Sequence, residues 1–333
     1  MGTLAPNTIF ADRYKILAHL GSGGMGQVYR AEHVALKKPV ALKLLGRVGD
    51  DDTRAERETR FEREARAIAR LEHPGCVRIL DYGRAGRYQY IAMELLDGDP
   101  LSAALEAGPF TIARAVYVAR NLLAALAHAH RHGVLHRDVK PENVVLVARD
   151  VPRTVLIDFG LARLRDDGPL TGTGMCMGSP SYIAPERLAG KPYDARCDLY
   201  AVGVILYEMI AGMRPFVGSS PEEIMHKSLH RPPRPLRALR DDVPPKLDAI
   251  VRRALAKDPD RRFADAEEML SALADIEIVD EPDPAMTLLG RERIPAISTI
   301  GRLALGRPSI LGRLWSWLRY GRWRWARTSE LSR

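Results

Sequence analysis

The apolar pattern of this 333-residue chain changes period near Gly98, and that change limits what it can fold into. Before it, Tyr14, Ile16, Ala18 and Leu20 alternate with polar or small residues, and Val28, Tyr29, Val40, Ala41 and Leu42 form β-prone runs between turn-prone stretches. Three short antiparallel strands account for them. Between Asp50 and Glu72 the composition shifts to Arg, Glu and Ala, with Phe61, Ala65, Ile68 and Leu71 at helical spacing and Pro74 as a stop. This predicts one charged, amphipathic helix, followed by two strands over Cys76 to Tyr82 and Arg87 to Glu94. Past Gly98, Val116, Ala119, Leu123, Leu126 and His130 share a helical face, with Thr111 as N-cap and Gly133 as terminator. Leu199 to Met213 carries only Glu208 as a charge and reads as a helix buried on most sides; Leu247 to Leu255 and Ala266 to Leu273 are amphipathic. The expected fold is α+β and bilobal. Residues 12–96 make a small antiparallel β lobe with one helix, and residues 97–275 a larger, mainly α lobe.

From Ile276 the periodicity fades, and Asp280-Glu281-Pro282-Asp283-Pro284 marks a linker over 276–300. The tail, 301–333, differs in kind. It holds eight arginines, one glutamate and all four tryptophans, so it accounts for +7 of the net charge of +8 and leaves the rest near neutral. That placement disfavours nucleic-acid binding by the body of the chain. Three cysteines, Cys76, Cys176 and Cys197, form no C-x-x-C pair and are expected to be free thiols. No apolar run approaches the ~20 residues of a membrane-spanning helix. The first residues lack the basic and apolar regions of a secretory signal, and Pro6 stands where a myristoylation motif has Ser or Thr, so a cytoplasmic location is expected.

Gly21-Ser22-Gly23-Gly24-Met25-Gly26-Gln27-Val28 has the form G-x-G-x-x-G-x-V between two expected strands. Glycines let a backbone fold close over phosphates and aim N–H groups at them. By itself the run also fits an ordinary hairpin, while a dinucleotide fingerprint needs a helix directly after it. Lys43 ends Val40-Ala41-Leu42-Lys43 on the third strand, and Glu64 on the next helix can hold it, with Glu58 and Glu62 as rivals on spacing alone. His136-Arg137-Asp138-Val139-Lys140-Pro141-Glu142-Asn143 is more specific, and Asp158-Phe159-Gly160 and Ala184-Pro185-Glu186 follow it in order. Over about residues 12–275 this set resembles the eukaryotic-like serine/threonine protein kinases, of bacterial type.

The resemblance implies the bilobal protein-kinase fold and transfer of the ATP γ-phosphoryl group to Ser or Thr hydroxyls of protein substrates. Asp138 would orient the substrate hydroxyl and take its proton, Lys140 would steady the transferred group, and Lys43, held by Glu64, would grip the α- and β-phosphates. Asn143 and Asp158 would hold Mg²⁺, with Mn²⁺ as an alternative. ATP would lie under Gly21 to Gly26, its adenine between Val28 and Ala41 above and Val145 below, with Met93 behind and Glu94 to Leu96 as the backbone edge. Ile68, Ile79, His136 and Phe159 match the apolar stack joining the lobes. Glu186 and Arg262 match a buried ion pair, and Asp198 would brace the Asp138 loop. Lys140 and Gly178-Ser179-Pro180-Ser181-Tyr182 resemble Ser/Thr rather than Tyr kinases, with Ser179 where the family often has Thr. Arg137 could order the activation segment by pairing with a phosphate on Thr171 or Thr173. Cys176 lies in the same segment, as an inert thiol or a redox switch.

Two rival readings are a pseudokinase scaffold, which usually carries a lesion at Lys43, Asp138, Asn143 or Asp158, and a small-molecule kinase, which commonly lacks the segment before Ala184. In the tail, Leu311, Leu314, Trp315 and Leu318 fall at i, i+3, i+4 and i+7, with Arg313 and Arg319 beside them. This suits an amphipathic helix on an anionic membrane surface, an acidic partner protein or RNA, against the alternative of a solvated terminus.

Overall fold

The structure, a computed structural model, describes residues 3–23, 26–45, 54–86, 88–147, 153–159 and 180–276. The chain divides into two units, Met1–Glu292 and Arg293–Arg333, and every described residue belongs to the first. The linker over 276–300, save Ile276, and the tail over 301–333 lie outside the described residues.

Strands β1 (Ile9–Phe10), β2 (Tyr14–Gly23), β3 (Gly26–His33), β4 (Lys38–Leu45), β5 (Ile79–Ala85) and β6 (Tyr88–Glu94) form an antiparallel sheet in the order β1-β2-β3-β4-β6-β5. The period-2 alternation of β4 decides what each face does. Val40, Leu42 and Leu44 join Tyr14, Ile16, Tyr29 and Tyr90 in a cluster on one face. Ala41 and Leu45 join the larger core on the other. Lys43 falls between them in the alternation, so it shares their face, opposite Val28 of β3 and Ile91 of β6. Against that face lies helix α1 (Arg54–Ala69), whose buried Phe61, Ala65 and Ile68 recur at helical spacing.

The second lobe is built on α2 (Leu101–Glu106), α3 (Ile112–Arg131), α4 (Pro185–Leu188), α5 (Arg196–Ala211), α6 (Pro221–His230), α7 (Pro245–Ala254) and α8 (Ala266–Ala274). Thr111 caps α3 by accepting the Arg114 N–H at 3.2 Å, and the chain leaves the helix through Gly133 at φ 71°. Helix α5 is buried almost throughout, and from Leu199 to Tyr207 it carries no charged residue. At Gly203 an added Cβ would stand 2.8 Å from Ala254 Cβ, so the residue lets α5 and α7 approach closely. Among the described residues no helix is long and apolar enough to cross a membrane.

Several elements depart from the sequence expectation. The pairing of β1 extends the sheet, and β7 (Gly98–Pro100), β8 (Val144–Val147) and β9 (Arg153–Leu156) form a second antiparallel sheet. Helices α2 and α4, of six and four residues, are too brief for a period to register, and α6 is not among the expected helices. Strand β5 begins at Ile79 rather than Cys76. Residues 75–77 instead bond to β9, with Leu156 N–H donating to Gly75 O at 2.8 Å and Val77 N–H to Leu156 O at 3.0 Å. This stitch ties the α1–β5 connection to the strand that leads into Asp158.

Candidate active site

The glycine run is the hairpin between β2 and β3, with Gly23 paired to Gly26. Gly26 has φ 142°, and a Cβ there would lie 1.9 Å from Leu44 O, so no other residue fits this close approach. Gly21 and Ser22 lie on β2; Gly24 and Met25 fall outside the described residues.

The Asp138 loop joins α3 to β8 and hangs from α5. Asp198, buried in the first turn of α5, accepts the His136 N–H at 2.9 Å and the Arg137 N–H at 2.8 Å, and meets His130 Nε2 at 2.9 Å. Burial alone would raise its pKa, but the bond with His130 and the nearby imidazoles outweigh it and hold the carboxyl low. These bonds sustain Arg137 in the left-handed region at φ 67°, a conformation that costs a non-glycine residue about 1–3 kcal/mol. His136 is buried: its Nδ1 accepts the Asp138 N–H at 3.3 Å and its Nε2 donates to Ile157 O at 2.8 Å. That pattern fits the neutral imidazole, and burial lowers its pKa in the same direction.

Asp138 is held by two donors on one oxygen. Its Oδ2 accepts from Lys140 Nζ at 2.7 Å and from Asn143 Nδ2 at 2.9 Å, and Asn143 Nδ2 also donates to Asp138 O at 2.7 Å. Both protons of the carboxamide are thereby directed into the loop, which leaves its carbonyl oxygen as an uncommitted oxygen donor atom.

Asp158 also sits in the left-handed region, at φ 65°, and its Oδ2 lies 2.7 Å from Lys43 Nζ. Lys43 is thus paired with Asp158 in this structure. Glu64 is half-buried on α1. Phe159 is buried, its ring centroid 4.7 Å from that of His136, and Ile68, Ile79, Met93 and Phe159 line one small cavity with Val77, Ile91 and Asp158. The four residues of the expected inter-lobe stack therefore meet.

Met93, Ala41 and Val145 are buried, and Val28 and Leu96 half-buried. The Glu94 carboxylate is turned to the strand side, accepting from Arg78 N at 3.0 Å and Arg153 Nη2 at 3.4 Å, so only its backbone can offer an edge to a base. Below the loop, Arg262 grips Glu186 of α4 with Nη1 at 2.8 Å and Nη2 at 2.6 Å, both side chains buried. The comparison with known families agrees with this layout: the model described as protein kinase domain matches residues 14–273.

The chain belongs to the protein kinase family.

This kinase is 40% identical over 280 residues to the serine/threonine-protein kinase PknD of Mycobacterium tuberculosis, covering 84% of this chain and 42% of PknD. It is 41% identical to the DNA damage-responsive serine/threonine-protein kinase RqkA of Deinococcus radiodurans, covering 78% of this chain and 39% of RqkA. It therefore spans less than half the length of these relatives. The crystal structure of the Mycobacterium tuberculosis PknI kinase domain superposes with a TM-score of 0.66 at 33% identity, covering 82% of this chain and 99% of that one. The bilobal kinase fold is thereby shown.

Thr171, Thr173, Cys176, Ser179 and Gly160 lie outside the described residues. The kinase also contains site neighbours that the motifs do not mark. Tyr182 OH donates to Glu208 Oε2 at 2.5 Å, and Arg214 Nη1 to Ser181 Oγ at 3.0 Å. Arg187 Nη1 donates to Arg137 O. Their partners are far apart in sequence, and no spacing rule signals them.

Proposed function

We propose that this chain is an active serine/threonine protein kinase that uses ATP and a divalent cation. The observation that carries the proposal is the fixed Asp138 carboxylate, held by Lys140 and Asn143 and joined through His136 and Ile157 to Asp158. Asp138 Oδ1 accepts the substrate hydroxyl, orients it and takes its proton as the O–P bond forms. Lys140, already 2.7 Å from Asp138, adds positive charge where the γ-phosphoryl group passes. Ser/Thr preference is supported by Lys140, by the Gly178 to Tyr182 segment and by the relatives named above.

One carboxylate and one carboxamide oxygen, Asp158 and Asn143, suit a hard cation that arrives with phosphate oxygens, so Mg²⁺ fits and Mn²⁺ can replace it. When bound, the ion neutralises phosphate charge. With the ion present, Asp158 would be one of its ligands, and Lys43, held by Glu64, would meet the α- and β-phosphates. Adenine lies between Val28 and Ala41 on one side and Val145 on the other, against the backbone of Glu94 to Leu96.

Autophosphorylation on Thr171 or Thr173, read by Arg137, activates the enzyme. Undiminished turnover of an exogenous protein by the double alanine variant would refute this. The tail places the kinase on an anionic membrane surface, through its tryptophans and arginines. Vesicles with about 30% anionic lipid should sediment the full chain but not a chain lacking residues 301–333; equal sedimentation, or capture by acidic protein alone, excludes it.

The kinase proposal itself is tested with radiolabelled ATP and mapping of labelled residues. Label on Ser or Thr supports it. Absence of transfer to any protein would point to the scaffold reading, and transfer only to small molecules to the metabolite-kinase reading.

A further inference from the structure

The sequence of α4 makes it an unusual anchor. Two adjacent residues, Glu186 and Arg187, point to different parts of the lobe. Glu186 is gripped from below by Arg262, while Arg187 Nη1 donates to the backbone oxygen of Arg137, and its guanidinium stands 5.1 Å over the exposed ring of Tyr193. Arg137 is the residue at φ 67° immediately before Asp138. Its N–H is fixed by Asp198 at 2.8 Å. Its carbonyl, which accepts from Arg187, belongs to the peptide plane that leads into Asp138.

A left-handed non-glycine residue persists only when its surroundings over-determine it. Here both flanking peptide groups are held: a buried carboxylate takes the Arg137 N–H on one side, and on the other the Arg187 guanidinium meets the C=O while His136 Nδ1 accepts the Asp138 N–H at 3.3 Å. The Arg187 bond is charge-assisted and therefore among the stronger kinds. Arg137 and Arg187 also lie together near the buried Cys197 thiol, where both cations act to lower a pKa that burial raises. A bond from Arg187 to a carbonyl does not neutralise either cation, so attraction between charges does not explain the arrangement. Orientation of the peptide does.

We infer that Arg187 is a positioning residue for phosphoryl transfer: it holds the Arg137–Asp138 peptide and so aims the Asp138 carboxylate. The inference rests on the reading of Asp138 as the proton acceptor. It also gives α4 a role beyond anchoring, because a shift of this short helix moves the Asp138 peptide directly.

The test compares wild type, Asp138→Asn, Arg187→Ala, Arg187→Lys and Arg187→Gln in the full chain, with ATP and casein as substrates and thermal unfolding in parallel. Arg187→Ala should lower kcat by about 10- to 100-fold, the scale of one lost hydrogen bond from a charged donor, with KM for ATP within about two-fold of wild type. Arg187→Lys should recover part of kcat, because an ammonium can still reach the carbonyl, and Arg187→Gln less. A kcat within two-fold of wild type for Arg187→Ala overturns the inference. So does a loss shared equally by all three Arg187 variants and matched by their unfolding temperatures, which marks a structural role only. If Arg187→Ala does not fold, lysine against glutamine decides alone: equal kcat values overturn it. Full activity of Asp138→Asn would instead sink the underlying assignment of Asp138, whatever the Arg187 variants do.

Discussion

Replacing Arg262 should cost this kinase most of its stability, and the structure shows why. All five guanidinium protons are used: Nε to Ala256 O at 2.8 Å, Nη1 to Glu186 Oε1 at 2.8 Å and Arg196 O at 3.2 Å, Nη2 to Glu186 Oε2 at 2.6 Å and Lys257 O at 3.3 Å. The side chain is 0% exposed and Glu186 only 5%, and the guanidinium also lies 4.9 Å over the Tyr200 ring. Arg262→Ala leaves a buried carboxylate without its cation, a change worth about 3–5 kcal/mol. Three carbonyls lose donors as well, each about 1–3 kcal/mol if water cannot reach it. Water entering the vacated space offsets part of this, so we expect a loss of about 5–7 kcal/mol, against a whole-domain stability of about 5–15 kcal/mol. Urea unfolding in an Asp138→Asn background measures it. Arg262→Lys should lose roughly half as much, since an ammonium cannot make the paired contact. In a double-mutant cycle with Glu186→Gln the coupling should reach about 2 kcal/mol or more. A loss under about 1 kcal/mol for Arg262→Ala, or additivity of the two changes, would refute the reasoning.

Three other outcomes follow from single residues. Lys257 holds its Nζ 3.8 Å over the Phe216 ring with no hydrogen-bond partner among the described residues, and burial, with Arg262 nearby, lowers its pKa to about 8. Lys257→Met should therefore stabilise the fold by about 1–2 kcal/mol at pH 7, after allowance for partial exposure; a loss of stability there contradicts it. His136 is kept neutral by burial. The unfolded chain takes up a proton below about pH 6.5 that the folded chain does not. Stability is complete above that pH and falls by about 1.4 kcal/mol per unit below it, until the folded pKa is reached. Urea midpoints between pH 7.5 and 5.5 test this, and His136→Asn should flatten the slope. Gly26→Ala should disorder the β2–β3 hairpin, because its Cβ would meet Leu44 O at 1.9 Å, and raise KM for ATP at least 10-fold; an unchanged KM would show that the hairpin does not cover the nucleotide.

The small lobe is legible in the sequence because alternation along β4 puts Lys43 on the Ala41 face without any knowledge of the third dimension. The uncharged stretch around Val202 likewise declares a buried helix, and the helix is found. The β7-β8-β9 sheet is not legible: its strands are three or four residues long, shorter than the window in which a period can be seen. Motif order brings Asp138, Asn143 and Asp158 to one place, but not the partner of Lys43. Glu64 and Asp158 are both carboxylates, so residue type alone does not say which one Lys43 meets; the structure puts Asp158, at φ 65°, 2.7 Å from it. Arg187 is invisible for a related reason: its partner is a backbone oxygen, and any residue type at 137 would provide one.

The central claim is that Asp138, fixed by Lys140 and Asn143, carries proton transfer in a working Ser/Thr kinase. Incubating purified wild type and Asp138→Asn with γ-labelled ATP and Mg²⁺, then mapping the label, tests it most directly. The account predicts label on Ser or Thr for wild type and a loss of at least about 100-fold for Asp138→Asn, the scale of one general base. Equal labelling by the two proteins, or none by wild type, would contradict it.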